Sequence, residues 1–147
     1  MIKIAIVDDN LFLQKTVQEK LSFFEDIEIK SKSLNGKELL QKLEKNSNLD
    51  LILMDIEMPE MNGVEATAEV KKRYPHIKIL MLTVFDNDEK IFKSIKAGAD
   101  GYLLKEINPQ ELYNSIKETL SGGAAMTPSI ALKTLKLLRE PQVFETE

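Results

Sequence analysis

At 147 residues the chain has room for one domain and an appendage rather than for two domains. It holds no cysteine, which removes disulfide frameworks and thiolate metal sites, and a net charge of −4 speaks against a basic nucleic-acid-binding face. No apolar stretch is long enough for a bilayer and the N-terminal apolar run is too short for a signal peptide, so a cytoplasmic protein without a membrane partner is expected.

The first element is a strand over Ile2 to Val7, which ends at the paired acids Asp8 and Asp9. Leu13, Val17, Leu21 and Phe24 follow at helical spacing. A weaker strand runs over Ile27 to Ser31, and Leu39, Leu40 and Leu43 mark a helix after Gly36. Leu51-Ile52-Leu53-Met54 is apolar throughout, as a central parallel strand covered on both faces must be. Residues 62–74 are helical by composition and stop at Pro75; Ile77 to Leu82 is another buried strand. A helix carrying Ile91, Phe92 and Ile95 closes at Gly98, and Gly101 to Leu104 is a short strand. Asn108 then suits an N-cap, Pro109 the first helical position, and Glu111 the reciprocal place of a capping box. Leu112, Ile116 and Leu120 form the stripe of that helix. Gly122-Gly123 breaks it, and Thr127-Pro128 opens a last helix with Leu132, Leu135 and Leu138 along one side.

Alternating strands and helices predict an α/β fold, a doubly wound parallel sheet of five strands with right-handed crossovers and helices on both faces. Ligands of such sheets bind beyond the carboxyl ends of the strands. Asp8 and Asp9 end the first strand, Asp55 the third, Thr83 the fourth and Lys105 the fifth, so acids, a hydroxyl and an ammonium are expected at one edge. Two carboxylates at about 4 Å repel by roughly 4 kcal/mol at an effective dielectric near 20. An oxygen-only set without histidine or cysteine relieves that strain with a hard divalent ion, and Mg²⁺ commonly adds a phosphate oxygen to its shell. Asp55 is then a candidate nucleophile for a phosphoryl group, with Lys105 as a cationic clamp and Thr83 as a hydrogen-bond donor.

Four stretches in register, VDDN at 7–10, LILMDIEMPEMNG at 51–63, MLTVFD at 81–86 and GADGYLLKE at 98–106, resemble the receiver domain of two-component response regulators. TVFDNDEKIFKSIKAGADGYLLKE and SGGAAMTP look most like the NarL/LuxR-type subfamily. The resemblance implies a flavodoxin-like strand order 2-1-3-4-5, with residues 1–121 as the receiver and 122–147 as a linker with an extra helix and tail. It implies that Asp55 accepts a phosphoryl group from a histidine kinase. Asp9, Asp55 and the backbone carbonyl of Glu57 would hold Mg²⁺, and Asp8 a metal-bound water. Thr83 and Lys105 would bind the phosphoryl group, and Tyr102 would swing inward with Thr83 as the switch. The expected protein is a dimerising switch that controls an output, transcription in particular, without turnover beyond weak autophosphatase activity. The DNA-binding output domain that such regulators carry is expected to be missing, so the chain itself would not bind nucleic acid. The family usually has proline after the lysine; here Glu106 stands there, and the loop shape does not carry over.

Each of these residues has a plainer reading when taken alone. Asp8-Asp9-Asn10 could cap the next helix, Thr83 could be a cap, and Lys105 a solvated charge. Glu57, two residues after Asp55, has the spacing of the second acid in an aspartyl-phosphate phosphatase, although no cap domain follows. The tail helix could fold back on its own domain instead of offering its leucines to a second copy. His76, the only histidine, reads as a surface residue, and Lys90, Lys93 and Lys96 as one solvated helix face that could also serve in signalling.

Overall fold

The computed structural model describes residues 1–140. Five parallel strands, β1 (Ile2–Val7), β2 (Ile27–Ser33), β3 (Leu51–Met54), β4 (Lys78–Thr83) and β5 (Gly101–Leu104), form one sheet in the order β2-β1-β3-β4-β5. The helices α1 (Leu11–Leu21), α2 (Gly36–Lys45), α3 (Gly63–Arg73), α4 (Asp88–Ala97) and α5 (Pro109–Leu120) alternate with them, and α6 (Pro128–Arg139) follows. The predicted α/β class, strand order and final helix are all present.

Two-residue alternation along the strands builds a separate core on each face. Ile4, Ile6, Leu51, Leu53, Leu80 and Leu82 point toward α1 and α5, where Val17, Leu21, Leu112 and Ile116 meet them. Ala5, Val7, Ile52, Met54, Ile79 and Met81 point the other way, toward Leu39, Leu43, Ala66, Val70 and Ile91 on α2, α3 and α4. Both faces being covered explains why β3 carries no polar residue.

Local signals set the helix starts. Asn10, Asn35, Asn62 and Asn108 each accept a hydrogen bond from the backbone three residues on. At Asn62 the box is complete, with the Glu65 carboxylate returning to the Asn62 backbone N–H. Glu111 makes a different closure: its carboxylate accepts from the Asn108 side-chain amide. Strand β2 runs two residues beyond the predicted Ser31, to Ser33, because β1 continues to pair with it as far as Val7. The expected periodicity of α1 through Phe24 breaks at Leu21; Phe24 lies outside the helix and stacks on Tyr113, ring centroids 4.0 Å apart.

The last helix folds back on its own domain, but not by its leucine stripe. Leu132, Leu135 and Leu138 are 55%, 48% and 79% exposed, while Ile130 and Leu137 are buried in the α2–α4 core. Burying each of those two is worth about 1.5–3 kcal/mol. The phase of the helix is set before it starts: Thr127 N–H donates to the Tyr102 carbonyl, and Thr127 Oγ1 accepts from Leu104 N–H. The part of the expected 122–147 segment beyond residue 140 lies outside the described residues.

Candidate functional site

In the sheet register Val7 stands opposite Met54, and Met54 opposite Met81. The residues that leave these strands therefore leave side by side. Asp55 N–H donates to the Val7 carbonyl at 3.0 Å and Lys105 N–H to the Thr83 carbonyl at 2.9 Å, which extends the ladders to the site residues themselves. Gly63 fixes the loop after Asp55. Its N–H donates to the Ile56 carbonyl, and a Cβ at this position would lie 1.8 Å from the Asp55 carbonyl oxygen. Only glycine permits α3 to start so close beneath Asp55.

One carboxylate oxygen each from Asp8, Asp9 and Asp55 lies within 4.8 Å of the others. Asp8 and Asp55 are buried and Asp9 is exposed. The Lys105 ammonium bridges the two buried acids, 2.7 Å from Asp8 Oδ2 and 3.1 Å from Asp55 Oδ2. Asp8 Oδ1 also accepts from Asn10 N–H, and Asp55 Oδ1 from Ile56 N–H. The helix cap that could have explained the acids is made by Asn10 instead, through Oδ1 to Leu13 N–H.

The electrostatics follow from burial. Desolvation pushes the Asp55 carboxyl above the ordinary carboxylate value; Lys105 pulls it back and Asp8 pushes it further up. Burial alone would lower the Lys105 ammonium, but its hydrogen bond to Asp8 and the charge of Asp55 outweigh that and hold it above the ordinary lysine value. Three carboxylates against one ammonium leave two negative charges around a set of oxygens at one open edge. That balance and donor chemistry fit a hard divalent cation.

Thr83 is buried at the end of β4, its Oγ1 accepting from Phe85 N–H at 3.4 Å. Tyr102 lies fully buried in β5, its hydroxyl donating to the Phe85 carbonyl at 2.7 Å. Thr83 and Tyr102 thus hold the two backbone polar groups of one residue, Phe85. Burial raises the Tyr102 phenol well above its usual pKa, so it acts as a neutral donor. Glu57, whose backbone carbonyl was expected at the metal, sits exposed in the loop two residues past Asp55, and its carboxylate pairs with Lys90 of α4. That ion pair, the Lys93 pair with Glu89 and the Lys96 contact over the Phe92 ring mean that this lysine face is not simply solvated. His76 is exposed, as expected. All described peptide bonds are trans, Lys105–Glu106 included.

Gln14 was missed. It is buried, and its amide donates to the carbonyls of Asp8 at 2.7 Å and Ser33 at 2.8 Å, tying together the ends of β1 and β2 behind the acids. Its only trace in the sequence is a polar residue next to Leu13 on the inward side of α1.

Residues 4–117 match the family described as the response regulator receiver domain. The chain belongs to that family. Among curated relatives, the transcriptional regulatory protein DegU of Brevibacillus brevis is 36% identical over 138 residues, 94% of this chain and 58% of its own length. The response regulator protein VraR of Staphylococcus aureus is 36% identical over 132 residues, 90% of this chain and 63% of its own. The chain therefore spans about six tenths of the length of these relatives. A LuxR-family two-component response regulator from Aurantimonas sp. superposes with a TM-score of 0.85 at 25% identity, over 94% of this chain and 98% of that one. A CheY-like receiver from Methanospirillum hungatei gives 0.74 at 33% identity, over 83% and 95%. These likenesses place the receiver with the LuxR type within two-component signalling.

Proposed function

We propose that Asp55 accepts a phosphoryl group from a partner histidine kinase and that the protein works as the switch of a cytoplasmic regulator. The observation that carries this reading is the placement of Asp55 between two further acids and the Lys105 ammonium. An Asp55 oxygen attacks the phosphorus of a phosphohistidine; the O–P bond forms as the P–N bond breaks, and the departing imidazole takes up a proton. Asp9, Asp55 and the Glu57 carbonyl would hold Mg²⁺ directly and Asp8 through water. Bound there, Mg²⁺ would neutralise charge on the phosphoryl oxygens. Lys105 supplies the second positive charge, from its place between Asp8 and Asp55.

The switch is local electrostatics. A phosphoryl group adds a charge of about −1.5 to −2 and can create one to three charge-assisted hydrogen bonds. Thr83 leaves Phe85 N–H to donate to a phosphoryl oxygen, and Lys105 turns from Asp8 toward the new charge. Two such bonds, at roughly 1.5–3 kcal/mol each, supply most of the free energy that inverts a 1:99 equilibrium, about 5.5 kcal/mol. The output is proposed to be transcription, as in the regulators it resembles, with pairing of two chains as the step that follows. The exposed Leu132, Leu135 and Leu138 face is offered as the contact, and sedimentation of the phosphorylated protein would detect the pairing.

The deciding experiment weighs the intact protein after incubation with acetyl phosphate and Mg²⁺. A single phosphoryl adduct is expected in the wild type and none in Asp55→Asn or in the wild type with chelator. An adduct that persists in Asp55→Asn removes the assignment.

A further inference from the structure

The segment between α5 and α6 lies along the otherwise free edge of β5. Tyr102 N–H donates to the Ala125 carbonyl at 2.9 Å, Thr127 N–H to the Tyr102 carbonyl at 3.2 Å, and Leu104 N–H to Thr127 Oγ1 at 3.0 Å. Gly101 makes room for this approach: a Cβ there would lie 2.5 Å from the Ala125 carbonyl oxygen. Beyond it, α6 packs on α4 through Ile130 and Leu137, and Lys133 Nζ donates to the Asp86 carbonyl at 2.7 Å.

That last contact meets the switch. Asp86 follows Phe85, whose N–H is held by Thr83 and whose carbonyl is held by Tyr102. The loop between β4 and α4 is therefore gripped from two sides, by Thr83 and Tyr102 from the sheet and by Lys133 from α6. The backbone of Tyr102 is tied to the same arm.

We propose that residues 124–139 form a latch whose docking on β5 and α4 opposes occupation of the Asp55 site, so that phosphorylation loosens α6. This rests on Asp55 being the phosphoacceptor. When Thr83 turns to the phosphoryl group it frees Phe85 N–H, the loop shifts, and Lys133 loses its acceptor. Coupling between two sites is reciprocal, so freeing the latch tightens binding of a phosphoryl mimic by the same factor.

The test uses the full chain with Mg²⁺, with and without beryllofluoride, as wild type, Lys133→Met and Thr127→Val. Hydrogen exchange is read at residues 8–10 and 55–57, at 84–87 and along α6. Beryllofluoride is expected to protect the first group and speed exchange in α6 several-fold. Lys133→Met and Thr127→Val are expected to bind beryllofluoride about 5-fold more tightly, the low end of usual couplings. Without ligand, Lys133→Met is expected to speed exchange at 84–87 together with α6. Protection near Asp55 with α6 unchanged, or with equal affinity in all three proteins, overturns the latch alone. No protection near Asp55 overturns the phosphoacceptor reading and takes the latch with it.

Discussion

The two ends of the sheet each carry an acid–lysine cluster, and their charge balance is opposite. At the carboxyl end, three acids share the single Lys105. At the amino end one acid, Asp100, has two lysines, Lys71 at 2.6 Å and Lys78 at 4.0 Å. Asp100 also accepts from Ile79 N–H at 2.8 Å, and Lys71 donates to the Ile77 carbonyl. Its demands are met within the protein, and the cluster ties the start of β4 to α3 and the α4–β5 turn. The carboxyl end is left with excess negative charge on partly open oxygens. Surplus charge that the fold does not neutralise marks the end built for something that arrives from outside.

The comparison breaks most visibly at Lys105. Lys105→Met leaves Asp8 and Asp55 facing each other without a counter-ion, and is expected to cost about 3 kcal/mol in denaturant unfolding without Mg²⁺. Much of that loss should return with millimolar Mg²⁺; a loss unchanged by Mg²⁺ would show that the ammonium serves only the fold. At the amino end, Asp100→Ala strands Ile79 N–H and removes the carboxylate partner of both lysines, and a loss of about 2 kcal/mol is expected. There Mg²⁺ should restore nothing, and the phosphoryl adduct should form as in wild type.

A smaller effect has the opposite sign. The Asp55 carboxyl is raised from 3.8, so between that value and its native one the folded protein keeps a proton that the unfolded chain has released. Stability therefore falls as pH rises from the ordinary carboxylate range through the native value of Asp55. Asp55→Asn removes this slope and should melt above wild type at pH 7 but not at pH 3; equal melting at both would show that Asp55 carries no burial strain. Lys105, raised above 10.5, gives stability that is present below that pH and lost as pH climbs through its native value. The smallest change is expected for Lys78→Ala, below about 0.5 kcal/mol, since its pair is long and half-exposed.

The sequence carried most of the architecture because its signals are local. Apolar runs such as Leu51–Met54 and the Asn108-Pro109 start of α5 state their element within a few residues. The gathering of these side chains was legible for a related reason: the acids and Lys105 stand just past strands and Thr83 ends one, so once the strands lie parallel their ends share an edge. Gln14 was not legible, because nothing in α1 says that its amide will meet two carbonyls from β1 and β2. The orientation of α6 escaped for the same reason. Leu132, Leu135 and Leu138 make the stronger stripe, yet the bonds of Thr127 to β5 turn Ile130 and Leu137 inward.

What the chain alone determined is therefore the order of strands and helices and the chemical types delivered to the strand ends, since periodicity and capping act over a turn or a pleat. Only the tertiary structure decided which acids Lys105 bridges, that Thr83 and Tyr102 grip the same residue, and which face of the last helix is covered. Those outcomes depend on atoms far apart in sequence meeting at hydrogen-bond distance, and on the geometry of a packed sheet that no single segment contains.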